Sequence, residues 1–252
     1  MSGRHVKDYE PIIGRRKVDQ LYRLADGLRH LRFVNVNSTR TGGGVAEILT
    51  QLVPLFNSLE LRARWEVAEG TPEFFDVTKR MHNGLQGQQV PFTERDTDCY
   101  RGVNTYNRKL LDLEAEVVII HDPQPAALIE ARRAEQVWIW RCHIDLSHPL
   151  RKVWRFVRRY VINFDATIFS LPAFVQRLPI PQFMIAPSID PLSDKNVELP
   201  PEEIKETLDT LGIPHDKPLL LQVSRFDRFK DPIGVLRTYQ MVKKNIDCRL
   251  IR

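Results

Sequence analysis

Polar residues that could bind a hydroxyl-rich or anionic ligand follow two short apolar runs of this chain. They are Asp122 and Gln124, which follow Val117 to Ile120, and His143 and Asp145, which follow Val137 to Arg141. Such runs are typical of buried parallel strands, whose carboxyl ends meet at the sheet edge where α/β proteins bind ligands. At that edge a carboxylate can accept hydrogen bonds from sugar hydroxyls, and a neutral imidazole can donate to a hydroxyl or to a developing charge.

These residues also have purely structural interpretations, which the sequence leaves open. Asp122 could cap a helix that begins at Pro125, since proline is favoured in a first helical turn. Asp145 could cap the next helix, and His143 could be a core histidine with satisfied partners. A serine hydrolase is disfavoured, because the sequence contains no G-x-S-x-G motif.

A glycine-rich segment formed by Gly42, Gly43 and Gly44 joins a candidate strand, Leu31 to Asn37, to a candidate helix, Gly44 to Leu59. Successive glycines let the backbone approach a ligand closely, and a helix N-terminus favours anionic or hydroxyl-rich groups. The segment is neither a G-x-G-x-x-G fingerprint nor a P-loop. Its alternative interpretation is a tight turn that binds nothing.

A pair of cations, Arg225 and Lys230, follows the apolar run Pro218 to Val223 near the end of the chain. The run is short and continuously apolar, which predicts a buried parallel strand. A planar guanidinium and the point charge of an ammonium group together suit a diphosphate. The sequence therefore predicts an anion-binding loop in a second α/β unit.

The segment Leu150 to Val161 predicts an amphipathic helix with a basic polar side. Its cations are Arg151, Lys152, Arg155, Arg158 and Arg159. A nucleic-acid-binding helix can have this composition, and the net charge of +5 is consistent with anionic ligands. One basic helix does not make the clustered cationic surface that nucleic acid requires, so a solvated face is the preferred interpretation.

Strands and helices alternate along the chain, which predicts an α/β fold with a doubly wound, parallel, Rossmann-like sheet. Four parts are expected: a charged helical lead-in (1–30), an N-terminal Rossmann-like domain (31–187), a polar, proline-rich linker (188–200) and the truncated start of a second such domain (201–252). Within the N-terminal domain the pattern also predicts a helix from Pro125 to Ala134 and a strand from Met184 to Ala186.

The composition excludes several classes of protein. The 252 residues are 42% hydrophobic and 27% charged, which is ordinary for a globular protein. The three cysteines have no C-x-x-C spacing, so neither a zinc site nor a disulfide framework is indicated and no metal is expected. Because there is no membrane-spanning apolar stretch and no signal-peptide core, a cytoplasmic location is expected.

Several longer segments resemble one known family. They include NVNSTRTGGGVAEIL, PEFFDVTK, HDPQPAALIE, WRCHIDLS and QVSRFDRFKDP, in consistent order over about residues 5–247. In them the chain is similar to the trehalose synthases of the retaining family 4 glycosyltransferases, which share ancestry with retaining trehalose phosphorylases. The resemblance implies a two-Rossmann architecture with the active site between the domains. It also implies reversible formation of α,α-trehalose from nucleotide-diphosphate glucose and glucose, with no cofactor beyond that substrate.

The resemblance further assigns roles to the candidate residues. It makes residues 31–187 the acceptor domain, with Gly42, Gly43, Gly44, Gln124 and Asp145 binding the acceptor. Asp122 and His143 are expected to be catalytic residues that contact the reacting sugar, and Arg225 and Lys230 are expected to neutralise the leaving diphosphate. The retaining chemistry of this family does not rest on the carboxylate pair of glycosidases, so no carboxylate nucleophile is predicted.

Members of the family continue for roughly one further domain, which would hold most of the nucleotide-base pocket. Three hypotheses therefore stay open: a trehalose-forming glucosyltransferase or its N-terminal part, a retaining trehalose phosphorylase, and an inactive sugar-binding fragment. The expected ligands are glucose, nucleotide-diphosphate glucose and trehalose. Neither nucleic acid nor a membrane is expected as a partner, and a homodimer is an option.

Overall fold

The computed structural model describes residues 4–224, 226 and 230–252. The chain divides into two compact units, Met1–Asp190 and Pro191–Arg252. The first unit contains a six-stranded sheet and the second a two-stranded sheet. Within the described ranges, no helix is long and apolar enough to cross a membrane.

The sheet of the first unit is entirely parallel. Its strands are β1 (Arg32–Asn37), β2 (Arg62–Val67), β3 (Val117–His121), β4 (Val137–Cys142), β5 (Ala166–Phe169) and β6 (Gln182–Met184). They are hydrogen-bonded in the order β2-β1-β3-β4-β5-β6. The sheet is doubly wound, and its topological switch point falls between β1 and β3, which lie side by side. The predicted Rossmann-like α/β class is therefore confirmed.

Helices cover both faces of this sheet. They are α1 (Glu10–Ile13), α2 (Arg15–Asp26), α3 (Gly44–Ser58), α4 (Pro72–Leu85), α5 (Glu94–Leu110) and α6 (Arg151–Val161), with 3-10 helices at Val6–Tyr9, Ala126–Ala131 and Pro172–Phe174. One face packs against α4, α5 and α6 and carries the larger core, which includes Trp138 and Trp140. The other face packs against α2 and α3 around Phe33 and Val117.

Capping residues determine where the helices of the larger core begin. The Thr71 hydroxyl accepts a hydrogen bond from Phe74 N–H at 3.2 Å, and Pro72 occupies the first turn of α4, where its missing N–H costs nothing. At α5, Thr93 and Asp96 form a reciprocal capping box. Both helices consequently begin directly after their capping threonines.

Helix α6 is the amphipathic helix that the sequence predicts. Val153, Phe156 and Val157 are buried in the larger core. Its cations are exposed, apart from Arg158, which is partly buried. The helix thus packs its apolar stripe on the sheet and turns its charges outward.

Among its described residues, the second unit includes two helices and two strands. They are α7 (Pro201–Thr210), β7 (Leu219–Leu221), α8 (Pro232–Lys243) and β8 (Arg249–Ile251). Strands β7 and β8 pair in parallel. Strand β7 is shorter than the predicted Pro218–Val223 and is not buried, since Leu221 is 67% exposed and Val223, beyond its end, is 88% exposed. Two strands and two helices provide too little apolar surface to cover both faces of a parallel sheet.

Two predicted elements of the first unit differ in the structure. The helix predicted at Pro125–Ala134 is a shorter 3-10 helix at Ala126–Ala131, and the N–H of Ala127 in its first turn donates to the Tyr100 hydroxyl at 3.1 Å. The strand predicted at Met184–Ala186 is Gln182–Met184, the residues that pair with β5. The second difference arises from strand pairing, which the local pattern does not encode.

Candidate active site

The polar candidates of the first unit collect where β1, β3 and β4 end. On the face covered by α2 and α3, the strands begin with apolar residues such as Phe33 and Val117. Toward their carboxyl ends the same face becomes polar, with Asn35 on β1 and His121 on β3. His121 lies opposite Arg141 of β4 in the register of the sheet. This edge flanks the switch point, where doubly wound sheets bind ligands.

The imidazole of His121 links β1 to the end of β4. Its Nε2 lies 3.0 Å from Asn35 Oδ1, and its Nδ1 lies 2.9 Å from His143 Nε2. The two imidazole rings are nearly parallel, at an interplanar angle of 15°. Asn35 and His121 are almost fully buried, and sequence reasoning missed both as site residues. The available signal was an asparagine inside an otherwise apolar central strand.

Asp122 is held by atoms of β4 and of His143 just beyond it. Its N–H donates to Arg141 O at 2.8 Å, its carbonyl accepts from Trp140 Nε1 at 2.9 Å, and its Oδ1 accepts from His143 N–H at 2.7 Å. Its φ of +65° lies in the left-handed region, which asparagine and aspartate tolerate better than most residues. The carboxylate therefore bonds across strands, and it does not cap the helix beyond Pro125.

Burial sets the protonation of this cluster. It raises the pKa of Asp122 to about 7, against the opposing effects of the His143 N–H and the Arg141 charge. Burial, followed by the positive charge of Arg141, lowers the pKa of His143 to about 4. Burial is also the main cause that holds the pKa of His121 well below its usual range. At neutral pH both imidazoles are uncharged and Asp122 is close to its midpoint, a combination frequent at functional sites.

Arg141 places a cation beside the cluster. Its guanidinium is partly buried, and burial lowers its pKa while the charge of Asp122 raises it. Within residues 4–224, 226 and 230–252, its side chain makes no hydrogen bond or ion pair. Sequence reasoning treated Arg141 as the last residue of a strand rather than as part of the site.

Gln124 and Asp145 lie in the loops that leave β3 and β4, and both are partly buried. The carbonyl of Gln124 accepts from Asn104 Nδ2 at 3.2 Å, which holds the loop against α5. Asp145 Oδ1 accepts from Ser147 N–H at 2.7 Å and so closes a turn ahead of α6. Since Leu150 is the N-cap of α6, Asp145 does not have the helix-capping role.

The glycine segment leaves the same edge of the sheet from β1. Gly42 and Gly43 have positive φ values of +74° and +104°, and Gly44 is the first residue of α3. All three are exposed, and a Cβ added to any of them would meet no atom within 4 Å. The backbone of this loop is thus open to a ligand.

Asn37, at the end of β1, supports the start of this loop. Its Nδ2 donates to Thr39 O at 2.8 Å, and its Oδ1 accepts from Trp65 Nε1 at 2.8 Å. The Arg40 guanidinium lies 4.4 Å from the centroid of the Trp65 ring. A buried amide, an aromatic ring and a cation therefore hold the entry to the glycine segment.

The predicted diphosphate-binding pair lies in the second unit. Arg225 is outside the described residues. Lys230 is exposed, and its carbonyl accepts from Gln222 Nε2 at 2.7 Å. The next residue, Asp231, caps α8 by accepting from Gly234 N–H at 3.0 Å. Lys230 consequently lies directly before the N-cap residue of α8.

A Rossmann-like sheet with buried polar side chains at its carboxyl edge defines a ligand-binding α/β domain. Residues 35–176, more than half of the chain, match the family described as "Trehalose synthase, N-terminal domain". The chain belongs to this family. The matched residues include the glycine segment, Asp122, Gln124, His143 and Asp145.

Curated relatives agree with this assignment. The chain is 47% identical to trehalose synthase of Pyrococcus horikoshii over 251 residues, which cover 96% of this chain and 60% of the relative. It is 40% identical to trehalose synthase of Rubrobacter xylanophilus, with 95% and 59% covered. It is 25% identical to trehalose phosphorylase of Grifola frondosa, with 95% and 38% covered. The chain thus spans about 60% of the length of the trehalose synthases.

Solved structures with a similar fold include the trehalose-6-phosphate synthase OtsA, with a TM-score of 0.62 and 13% identity. The match covers 87% of this chain and 64% of OtsA. The α,α-trehalose 6-phosphate synthase of Burkholderia multivorans matches with a TM-score of 0.58 and 15% identity, covering 87% and 64%. At these identities the likeness concerns the fold.

Proposed function

We propose that this chain is the acceptor-binding part of a retaining glucosyltransferase that forms α,α-trehalose from nucleotide-diphosphate glucose and glucose. The observation that carries the proposal is the bonded pair Asp122 and His143 at the carboxyl edge of the sheet. Membership of the trehalose synthase N-terminal domain family supports the choice of sugar substrates.

In the proposed reaction Asp122 accepts a hydrogen bond from a sugar hydroxyl, while its other oxygen stays bonded to His143 N–H. His143 contacts the reacting sugar through the ring nitrogen that does not bond His121. Because His143 is neutral at pH 7, it can hydrogen-bond a hydroxyl without adding charge. Gln124, Asp145 and the backbone of the glycine segment complete the acceptor contacts in this proposal.

The proposed chemistry exchanges one bond at the glucosyl C1. The bond from C1 to the diphosphate oxygen breaks, a bond from C1 to the acceptor oxygen forms with retained configuration, and the acceptor's hydroxyl proton passes to the leaving diphosphate. Arg225 and Lys230 are proposed to stabilise the negative charge that develops on the diphosphate. The reaction balances with the nucleotide sugar as the glucosyl source, so no cofactor is proposed.

A retaining trehalose phosphorylase is the second candidate, in which phosphate replaces the nucleoside diphosphate. Similarity to the Grifola frondosa phosphorylase favours it, but at 25% identity against 47% for the Pyrococcus horikoshii synthase. The third candidate, a sugar-binding fragment without turnover, is supported by the share of the relatives that the chain spans.

A product assay on the 252-residue chain separates the three candidates. The chain is incubated with glucose and each of UDP-, ADP- and GDP-glucose, and separately with trehalose and phosphate. Trehalose formed from a nucleotide donor supports the synthase, and glucose 1-phosphate formed only from trehalose and phosphate overturns it in favour of the phosphorylase. If neither product forms, glucose binding is measured by calorimetry. Binding without turnover then supports the third candidate, the sugar-binding fragment.

The donor side has its own matched pair of variants. Lys230→Ala is expected to raise the KM for the nucleotide sugar without changing the fold, because the side chain is exposed and only its backbone carbonyl is bonded within the described residues. Lys244→Ala, which removes an exposed lysine after α8, is the control and should leave that KM unchanged. Equal KM values for the two variants would remove Lys230 from the donor site.

A further inference from the structure

Three polar side chains form a hydrogen-bonded line across the carboxyl edge of the sheet, where β1, β3 and β4 end. Asn35 is fully buried on β1, His121 is 1% exposed on β3, and His143 is partly buried after β4. Burying an amide and an imidazole among apolar strands costs free energy unless hydrogen bonds compensate. Neither Asn35 nor His121 has a role in the proposed function, so this line calls for an explanation of its own.

The order of donors and acceptors along this line determines where the protons lie. With Oδ1 of the Asn35 amide facing His121, that oxygen accepts, and the His121 Nε2 that lies 3.0 Å away carries a hydrogen. In a neutral imidazole, Nδ1 of His121 is then unprotonated and accepts from His143 Nε2 at 2.9 Å. His143 in turn has its hydrogen on Nε2, and its Nδ1 has a free lone pair.

Two observations support neutral rings. Burial is the largest cause that lowers the pKa of both histidines, and the positive charge of Arg141 acts in the same direction. The Asp122 carboxyl bonds the backbone N–H of His143, and among the described residues no carboxyl is hydrogen-bonded to the His143 ring. A doubly protonated ring would also place two donors against each other between His121 and His143.

We infer that Asn35 and His121 are positioning residues that hold the His143 ring in one orientation and in the Nε2–H tautomer, leaving Nδ1 as a hydrogen-bond acceptor for a sugar hydroxyl. The sugar part of this inference rests on the proposed function, whereas the tautomer does not. The other ring nitrogen of a functional histidine commonly sets its tautomer in this way.

The inference depends on which atom of the Asn35 amide faces His121. Its Nδ2 is buried and has no hydrogen-bond partner among the described residues. If Nδ2 instead of Oδ1 faced His121, every donor and acceptor along the line would reverse, and His143 would present an Nδ1–H. The tautomer of His143 therefore decides whether its Nδ1 accepts a hydrogen bond from a sugar hydroxyl or donates one to it.

The test reads the ring nitrogens directly. The chain is labelled with ¹⁵N-histidine, and two-bond proton–nitrogen correlations are recorded at pH 7.5, with the His143 signals assigned from a His143→Gln spectrum. We expect a protonated-type Nε2 and an unprotonated-type Nδ1 for His143 in the unaltered chain. An Nδ1–H tautomer there, or equal populations, overturns the inference without reference to any variant.

Variants then test which residues impose the tautomer. Asn35→Leu removes the acceptor at nearly constant size and should shift His143 toward a mixture of tautomers. Asn35→Asp restores an oxygen acceptor and should recover the Nε2–H form. His148→Gln, which removes an exposed histidine ahead of α6, should leave the His143 signals unchanged. A His143 tautomer that is the same in Asn35→Leu as in the unaltered chain also overturns the positioning role.

Activity gives a second readout that separates this inference from the proposed function. If the chain makes trehalose, Asn35→Leu should lower kcat on the order of 10- to 100-fold, as with other residues that orient a functional histidine, with little change in KM. Recovery by Asn35→Asp supports positioning, and loss in both variants contradicts it. If no trehalose forms but the Nε2–H tautomer is present, the proposed function fails and the positioning stands.

Discussion

The end of β3 and the end of β1 lie at the same edge of the sheet but are held in different ways. Asp122, just beyond β3, and His143, just beyond β4, are fixed by hydrogen bonds between the ends of neighbouring strands. Beyond β1, Gly42, Gly43 and Gly44 are exposed, with the Thr39 hydroxyl donating to Gly42 O at 3.3 Å. One region is a preorganised set of side chains, and the other is an open backbone.

The difference indicates a division of labour. Side chains fixed before the ligand arrives can stabilise developing charge without reorganising, which favours placing the reactive contacts beyond β3 and β4. An exposed glycine backbone has N–H groups that can follow the shape of a ligand, at the cost of ordering the loop on binding. Changes in the first region should therefore affect turnover, and changes in the second should affect loop stability and affinity.

The largest expected effect comes from the preorganised region. His143→Ala should lower the rate of trehalose formation by about 100- to 1,000-fold, the range found when one preorganised hydrogen-bonding group is removed from an active site, and change glucose affinity much less. Initial rates and glucose calorimetry on the same preparation measure both quantities. Affinity that falls while turnover holds would make His143 a binding contact only.

Gly43 tests the open region. Gly43→Ala should reduce the free energy of unfolding by about 1–3 kcal/mol, because φ +104° and ψ 152° form a conformation almost restricted to glycine. Gly44→Ala is the matched control: its φ is not positive, it lies in the first turn of α3, and an added Cβ has open space. Urea unfolding of both variants measures the difference, and equal stabilities would show that the loop relaxes without strain.

Most of the fold follows from local sequence pattern. Apolar runs separated by amphipathic helices indicate the strands and their parallel direction. Residues such as Thr71 and Thr93 indicate where helices begin. What the pattern misses depends on tertiary contacts. The Tyr100 hydroxyl accepts from Ala127 N–H and so holds the 3-10 helix after β3 against α5, and pairing with β5 sets the bounds of β6.

Local pattern likewise predicted one part of the site and missed another. Asp122 and His143 could be placed at one edge because each follows an apolar strand. The bond between His121 and His143 joins residues 22 positions apart on neighbouring strands, and the one between His121 and Asn35 joins residues 86 apart. No local pattern encodes which residues of distant strands lie side by side. The contacts of Asn35 and His121 are therefore seen only in the assembled sheet.

The pH dependence of stability tests how strongly burial acts on the preorganised region. Between its ordinary pKa of 3.8 and its folded pKa of about 7, Asp122 keeps a proton that the unfolded chain has lost. It therefore makes the free energy of unfolding fall as pH rises through this window. His121 and His143 act in the opposite sense, since the unfolded chain protonates them below about pH 6.5.

Asp122→Asn separates these contributions, because asparagine keeps an oxygen for His143 N–H and tolerates the positive φ. In this variant the free energy of unfolding should rise more steeply between pH 4 and 7 than in the unaltered chain, as measured by urea titrations at several pH values. Identical slopes would show that Asp122 ionises in the folded chain at its ordinary pKa.

The smallest expected effect concerns Arg141, which acts on the preorganised region through charge alone. Arg141→Gln should raise the pKa of His143 from about 4, but only part of the way to its ordinary value, because burial is the larger cause. An NMR titration of the His143 ring measures the shift, with Arg151→Gln, an exposed cation of α6, as the control. An unchanged pKa in Arg141→Gln would mean that hydrogen bonds and burial hold the imidazoles neutral without help from charge. A return of the His143 pKa to its ordinary value would instead make the charge of Arg141, and not burial, the main cause of the low pKa. The region beyond β3 and β4 would then differ less from the exposed glycine segment in how strongly burial acts on it.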